Sequence, residues 1–257
     1  MIRRVLTALV MAPGAVLTIL FAPAWVFLLL TSLVACGCFR EFRRLAGDHG
    51  ALFPPVAGLA AGLIVLLTPL DQGFLALIIG VLATMALSMW NDDLALVLPQ
   101  TAAASLGLLY CFATWRCGIG LRDIGPHWLL FALALNWIAD AFAYFGGRAT
   151  GRHKMAPSLS PAKTWEGALW SVAGSLLFGW VFLGHFVPER GLPEVLLLSL
   201  ATNVAGQFGD LAESALKRGA GRKDSGSLLP GHGGWLDRMD SSLFSMPLVF
   251  LWLTHSR

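Results

Sequence analysis

Long apolar runs separated by short polar breaks make up most of this 257-residue chain. Nine can be marked, at residues 5–21, 25–36, 52–70, 74–89, 94–113, 127–145, 168–187, 195–209 and 243–253. Most approach the roughly 20 residues a helix needs to cross a bilayer core. None alternates with the period of two that marks a half-buried strand. Lipid offers no partner to backbone polar groups, so spans of this kind are helices. The pattern predicts an all-α polytopic integral membrane protein with about nine transmembrane helices, of which the second and ninth are short and the fifth is interrupted by Pro99.

Composition supports this picture. The chain is 56% apolar and 13% charged, against about 25% charged in soluble domains. A net charge of +3 is too small to argue for a nucleic-acid partner. Its placement says more. With the N-terminus in the cytoplasm, nine spans put fourteen of the 18 basic residues inside: Arg3, Arg4, Arg40, Arg43, Arg44, Arg148, Arg152, Lys154, Lys163, Lys217, Arg218, Arg222, Lys223 and Arg238. This is the asymmetry that membrane insertion favours. The basic tip of "MIRRVLTALVMAPGAVL" looks like a signal peptide, but the next run follows directly after Pro23 with no small-residue cleavage site, so a retained hairpin is expected. Cys36, Cys38, Cys111 and Cys117 form no C-x-x-C pair and read as small buried hydrophobes.

The first half is bland. "GLAAG" at 58–62 fits a close helix contact or a dimer seam, and "EFRRLAG" at 41–47 reads as a cytoplasmic loop whose arginines set orientation. In the second half, polar residues enter the helices. Asn136, Asp140 and Tyr144 stand four apart and share a helix face. A carboxylate in hydrocarbon costs about 2.5–3.5 kcal/mol on insertion scales, so Asp140 should face a cavity or a basic partner. In "SPAKT", Ser160 fits an N-cap with Pro161 at the first helical position, placing free amides near Lys163 and Thr164, a setting suited to phosphate. Asn203, Gln207, Asp210, Ser214 and Lys217 form one stripe along a helix, with Glu213 close to it, and suggest a lined cavity.

The third constellation is "SALKRGAGRKDSGSLLPGHGGWLDRMDS", residues 214–241. Lys217, Arg218, Arg222 and Lys223 supply cations, and Asp224, Asp237 and Asp240 supply hard oxygens. Glycines including Gly233 and Gly234 allow close backbone approach, and His232 offers a donor or an acid–base group. Mg²⁺ commonly takes one or two carboxylates and completes its shell with water and phosphate oxygens. A basic loop on anionic headgroups would explain the lysines and arginines but not the interleaved aspartates. The chain contains no G-x-x-x-x-G-K-[ST] loop and no H-E-x-x-H motif. On these residues alone, a transporter using Asp140 and Asp210 stays open as an alternative.

Ser214-x-x-Lys217-Arg218, Lys223-Asp224 and Pro230-x-His232-Gly233-Gly234-x-x-Asp237-Arg238-x-Asp240 together resemble the signature of the phosphatidate cytidylyltransferases, or CDP-diacylglycerol synthases. "SPAKTWEG" and "FGDLAES" resemble two further elements of that family. Trp235 departs from the pattern, where an aliphatic residue is usual. The resemblance covers about residues 136–245. It implies transfer of a cytidylyl group from CTP to phosphatidate at the cytoplasmic face of a bacterial inner membrane, by a homodimer that needs Mg²⁺ with K⁺ as a second cation.

Carried over residue by residue, the resemblance names Asp210 and Asp237 as the leading metal ligands, with Asp240 and Glu213 in support. The catalytic set would be Asp210, Lys217, Arg218, Lys223, Asp224, His232, Asp237, Arg238 and Asp240. Substrate contacts would fall to Asn136, Asp140, Tyr144, Ser160, Lys163, Thr164, Ser214, Gly233 and Gly234, with Lys163 serving either the lipid phosphate or the nucleotide. Residues 1–125 would then be scaffold and dimer helices. Residues 126–257 would be the catalytic transmembrane region, with its cytoplasmic loop at 211–242.

Overall fold

The structure, a computed structural model, describes residues 2–228 and 233–255, with side chains from residue 11 onward. Among the described residues are nine helices: α1 (Ile2–Phe21), α2 (Ala24–Asp48), α3 (Pro55–Leu67), α4 (Leu70–Ser88), α5 (Leu94–Ile124), α6 (Pro126–Thr150), α7 (Trp165–Phe186), α8 (Leu192–Gly219) and α9 (Leu236–His255). Six of them, α2 and α4 to α8, are long and apolar enough to cross a membrane. The chain divides into two compact units, one of Met1–Gly120 with Leu216–Met239, the other of Leu121–Ala215 with Asp240–Arg257.

Two helices outrun the apolar runs that announce them. The second run ends at Cys36, yet α2 continues for twelve residues through "EFRRLAG" to Asp48. The expected loop is therefore helix. Glu and Arg are good helix formers, and Cys38, Phe39, Phe42, Leu45 and Ala46 keep a buried stripe at helical spacing. In α5, Pro99 falls in the first turn of the α-helical stretch Val97–Gly107, where its missing N–H costs nothing. A π turn at Leu108–Ala113 then carries the rod on to Ile124.

A third departure is local. "SPAKT" does not open a helix, because Ser160–Thr164 is strand β2, paired antiparallel with β1 (Lys154–Ala156). In a two-stranded ribbon, Pro161 can turn its N–H-less nitrogen away from the pairing edge. The cap of α7 is instead Thr164, in extended conformation, whose Oγ1 accepts from the Gly167 amide (3.1 Å).

Glycine and aromatic residues build the core of the first unit. The Phe39 ring lies 5.6 Å from Phe53 and 5.1 Å from Phe112. Gly58 faces Phe39 and Phe53, and Gly62 faces Phe112, so closely that a Cβ would overlap the rings. "GLAAG" is thus a seat for rings of its own chain. In the second unit, Gly146 and Gly174 seat Trp170 and Phe142 in the same way and bring α6 and α7 together.

Polar side chains seal the rest of that unit. Asn203, 1% exposed, donates to Ser171 and Ser175 (both 2.8 Å), and Gln207 donates to Asn203 Oδ1 (2.7 Å). The upper part of the α8 stripe is therefore a hydrogen-bonded seam against α7, in place of the expected cavity lining. Asn136 likewise donates to the Ala132 carbonyl (2.9 Å) and to Ser245 Oγ (2.8 Å), joining α6 to α9.

Gly62→Val should lower the thermal midpoint of the detergent-solubilised protein, since overpacking a filled site costs about 1–3 kcal/mol. Adding Phe112→Ala should recover part of the loss. An unchanged midpoint for Gly62→Val would contradict this packing.

Candidate functional site

Asp237 gathers the polar groups of the first unit. It sits in the first turn of α9, where the helix dipole favours a negative charge. Its Oδ1 pairs with Lys217 Nζ at 2.7 Å. Its Oδ2 accepts from the amides of Ser225 (2.9 Å) and Gly234 (2.8 Å) and from the Ser225 hydroxyl (2.9 Å). Gly233 enters this turn with φ of +79°, and a Cβ there would lie 2.6 Å from the same oxygen. Burial pushes the Asp237 carboxyl up, but the Lys217 and Gly234 bonds, the Lys217 charge and Ser225 outweigh it and hold the group below its ordinary value.

The segment leading to Asp237 is fixed at several further points. Helix α8 ends at Gly219, and the Arg222 amide bonds back to the Lys217 carbonyl (2.8 Å) through a turn in which Gly221 has φ of +68°. Arg218 Nη1 donates to the Arg222 carbonyl (3.1 Å). Arg222 in turn pairs with Asp48 (2.5 Å), and His49 Nε2 donates to the Leu216 carbonyl (3.1 Å). The indole of Trp235 packs on Gly37, 2.9 Å from where a Cβ would stand, which is how the larger side chain is housed. Lys223, Asp224 and Arg238 are exposed. His232 lies outside the described residues.

The second unit holds a cluster of acids. Asp210, on α8, pairs through Oδ2 with Lys163 Nζ at 2.5 Å, and Ser214 Oγ reaches its Oδ1 at 3.4 Å. Lys163 comes from β2, so the hairpin that replaced the expected helix start delivers this ammonium. Glu213 is fully buried. Asp240 is driven well above the ordinary aspartate range, first by burial and then by the charges of Asp210, Glu213 and Asp140, with the Ser241 amide (2.7 Å) opposing. Four carboxyl groups thus stand within electrostatic reach of one another. Among the described residues, no group of three or more His, Cys, Asp or Glu side chains stands close enough to hold a metal ion.

Other expected contacts stand apart from this chemistry. Asn136 is buried with its amide in the helix seam, while Tyr144 is 60% exposed and accepts from Arg148 (3.3 Å). Ser160 is half-buried in β2, and Thr164 is occupied as a cap. One residue that sequence reasoning passed over belongs with Asp237. Glu41, on α2, is fully buried and accepts from Ser225 and Leu236. Helical spacing was its signal, since Cys38, Glu41 and Leu45 fall on one face.

Comparison with known proteins agrees with the signature. The profile of the Cytidylyltransferase family matches residues 2–255. The chain is 33% identical to a phosphatidate cytidylyltransferase of Staphylococcus saprophyticus over 263 residues, covering 96% of each. It is 33% identical to one of Staphylococcus aureus over 271 residues, covering 98% of this chain and 99% of that one. A phosphatidate cytidylyltransferase of Staphylococcus haemolyticus is 40% identical over 157 residues, 61% of this chain and 58% of its own length.

The depressed value of Asp237 fixes the sign of a pH effect. Its stabilisation is complete above the unfolded-state value near ~3.9 and is lost as pH falls through the lower folded-state value. The gap in thermal midpoint between the parent protein and Asp237→Asn should hold from about pH 7 to about pH 5 and narrow below about pH 4. A gap that stays constant down to about pH 3 would contradict the assignment.

Proposed function

The chain belongs to the cytidylyltransferase family, and from that premise we propose that it is a phosphatidate cytidylyltransferase, converting CTP and phosphatidate to CDP-diacylglycerol and pyrophosphate. The observation that carries this reading is the end-to-end likeness to bacterial phosphatidate cytidylyltransferases. We place the enzyme in the inner membrane as a homodimer with its N-terminus and site in the cytoplasm. Residues 126–257 carry the catalysis, and the nine helices are its spans.

The chemistry asks for charge control more than for proton transfer. A phosphate oxygen of phosphatidate, already ionised at neutral pH, attacks the α-phosphorus of CTP. A new P–O bond forms there, the bond to the β-phosphate bridging oxygen breaks, and pyrophosphate leaves with that electron pair. No strong base is needed, so positioning and electrostatic stabilisation supply the rate.

The proposed cation ligands are Asp210 and Asp237, with Asp240 and Glu213 in support. Bound Mg²⁺ would offset phosphate charge at the reacting centre, and K⁺ would be the second cation. This assignment rests on the family signature, since among the described residues no three Asp, Glu, His or Cys side chains are grouped to hold a metal ion. Both leading aspartates hold a lysine in this structure, Lys163 on Asp210 and Lys217 on Asp237. Those ammonium groups would supply positive charge to the phosphates of the substrates. Arg218, Lys223 and Arg238 add cationic donors. Asp224 and His232 complete the catalytic set, with Asp140, Tyr144, Ser160, Thr164, Asn136, Ser214, Gly233 and Gly234 shaping the surroundings of the substrates.

Purified protein in detergent should release pyrophosphate from CTP only when phosphatidate and Mg²⁺ are both present. Asp210→Asn should lower that rate by about 100-fold or more, the scale of a lost electrostatic contact at a reacting centre. Phosphatidate-independent release, or full activity in Asp210→Asn, would contradict the proposal.

A further inference from the structure

Glu41 has no part in the reaction just described, yet its placement is costly. A carboxyl side chain is fully buried on a helix that otherwise turns Cys38, Phe39, Phe42 and Leu45 inward. Burying such a group is unfavourable unless hydrogen bonds hold it. Its Oε2 accepts from the Leu236 amide (2.9 Å) and from the Ser225 hydroxyl (3.1 Å). Both donors lie within the signature segment, 184 and 195 positions along the chain from Glu41.

Two further observations tie the segment to this one carboxyl. Gly226 and Gly234 both lie against it, so closely that a Cβ at either would overlap the Glu41 head group. Neither has a positive φ, so the need for glycine there is set by space and not by backbone conformation. The Ser225 hydroxyl, which has a single proton, also reaches Asp237 Oδ2 at 2.9 Å. That proton serves one carboxyl at a time, while the Ser225 amide stays on Asp237 Oδ2, so both acids bear on the same serine.

We propose that Glu41 is a positioning residue: its carboxyl clamps Ser225 and Leu236 and thereby sets the orientation in which Asp237 meets the ligand. This rests on the cytidylyl-transfer reading for its activity readout, but the clamp can be measured without it. Amide hydrogen exchange of folded, monodisperse protein reads the Leu236 amide on Glu41 directly, and reads the seating of Ser225 through its own amide on Asp237 Oδ2. Glu41→Ala should speed exchange at both. Glu41→Gln keeps an acceptor oxygen at the same reach and should leave both near the parent rate.

In turnover, Glu41→Ala should lower kcat by roughly 10- to 100-fold, the range expected when a reacting group is misplaced, with KM for CTP changed less than about threefold. Glu41→Gln should recover most of kcat. Gly234→Ala should be impaired by overlap with the carboxyl. The shorter Glu41→Asp should restore at least about fivefold of that loss in the double variant, because residues in contact do not act additively. Parent-like exchange in Glu41→Ala, or strictly additive effects of Glu41→Asp and Gly234→Ala, would overturn the clamp. Faster exchange in Glu41→Ala with no cytidylyl transfer by the parent protein would support the clamp while refuting the proposed function.

Discussion

The carboxylate of Asp237 takes an ammonium, two backbone amides and a hydroxyl in one place. Its surroundings are arranged around that demand. Two amides can converge on one oxygen only if the chain turns sharply, which Gly233 allows with its positive φ. The lysine can reach it because α8 ends at Gly219 with Lys217 in its last turn. The serine can reach it because Gly226 leaves room for the second carboxyl, Glu41, behind it. A segment rich in glycine and charge, which a composition rule would read as loose, is held by hydrogen bonds to charged groups, each worth about 1.5–3 kcal/mol.

The second unit solves a related problem differently. Its polar residues occur inside apolar helices, where an unsatisfied group is expensive. Asn203 with Ser171 and Ser175, and Asn136 with Ser245, settle that cost between neighbouring helices. The acids of this unit form a cluster of their own. Asp240, half-buried, feels the charges of Asp210, Glu213 and Asp140, and Lys163 pairs with Asp210. A cluster of acids that drives one of its carboxyl groups above the ordinary range is a common mark of a functional site.

Much of the architecture was legible from the period and length of apolar runs, because a helix in or near a membrane satisfies its own backbone. Nine runs correspond to nine described helices. The signature was legible through its resemblance to a known family, to which the whole chain belongs. What could not be read depends on partners distant in sequence. Glu41 looked like part of a loop because the donors that justify its burial are almost two hundred residues away. Ser160 looked like a cap because pairing with Lys154–Ala156 cannot be seen locally. Asn203 looked like cavity lining because Ser171 and Ser175 are assigned to it only by helix packing.

Charge-balanced attack of a lipid phosphate on the α-phosphorus of CTP is the central claim, and the fate of each phosphate tests it most directly. CTP labelled at the α-phosphate or at the γ-phosphate would be incubated in turn with the purified protein, phosphatidate and Mg²⁺, and the lipid extracted. Label from the α position should enter the lipid, while label from the γ position should remain in aqueous pyrophosphate. Transfer of the γ label to lipid would instead identify a kinase, and absence of either label from lipid would contradict group transfer altogether.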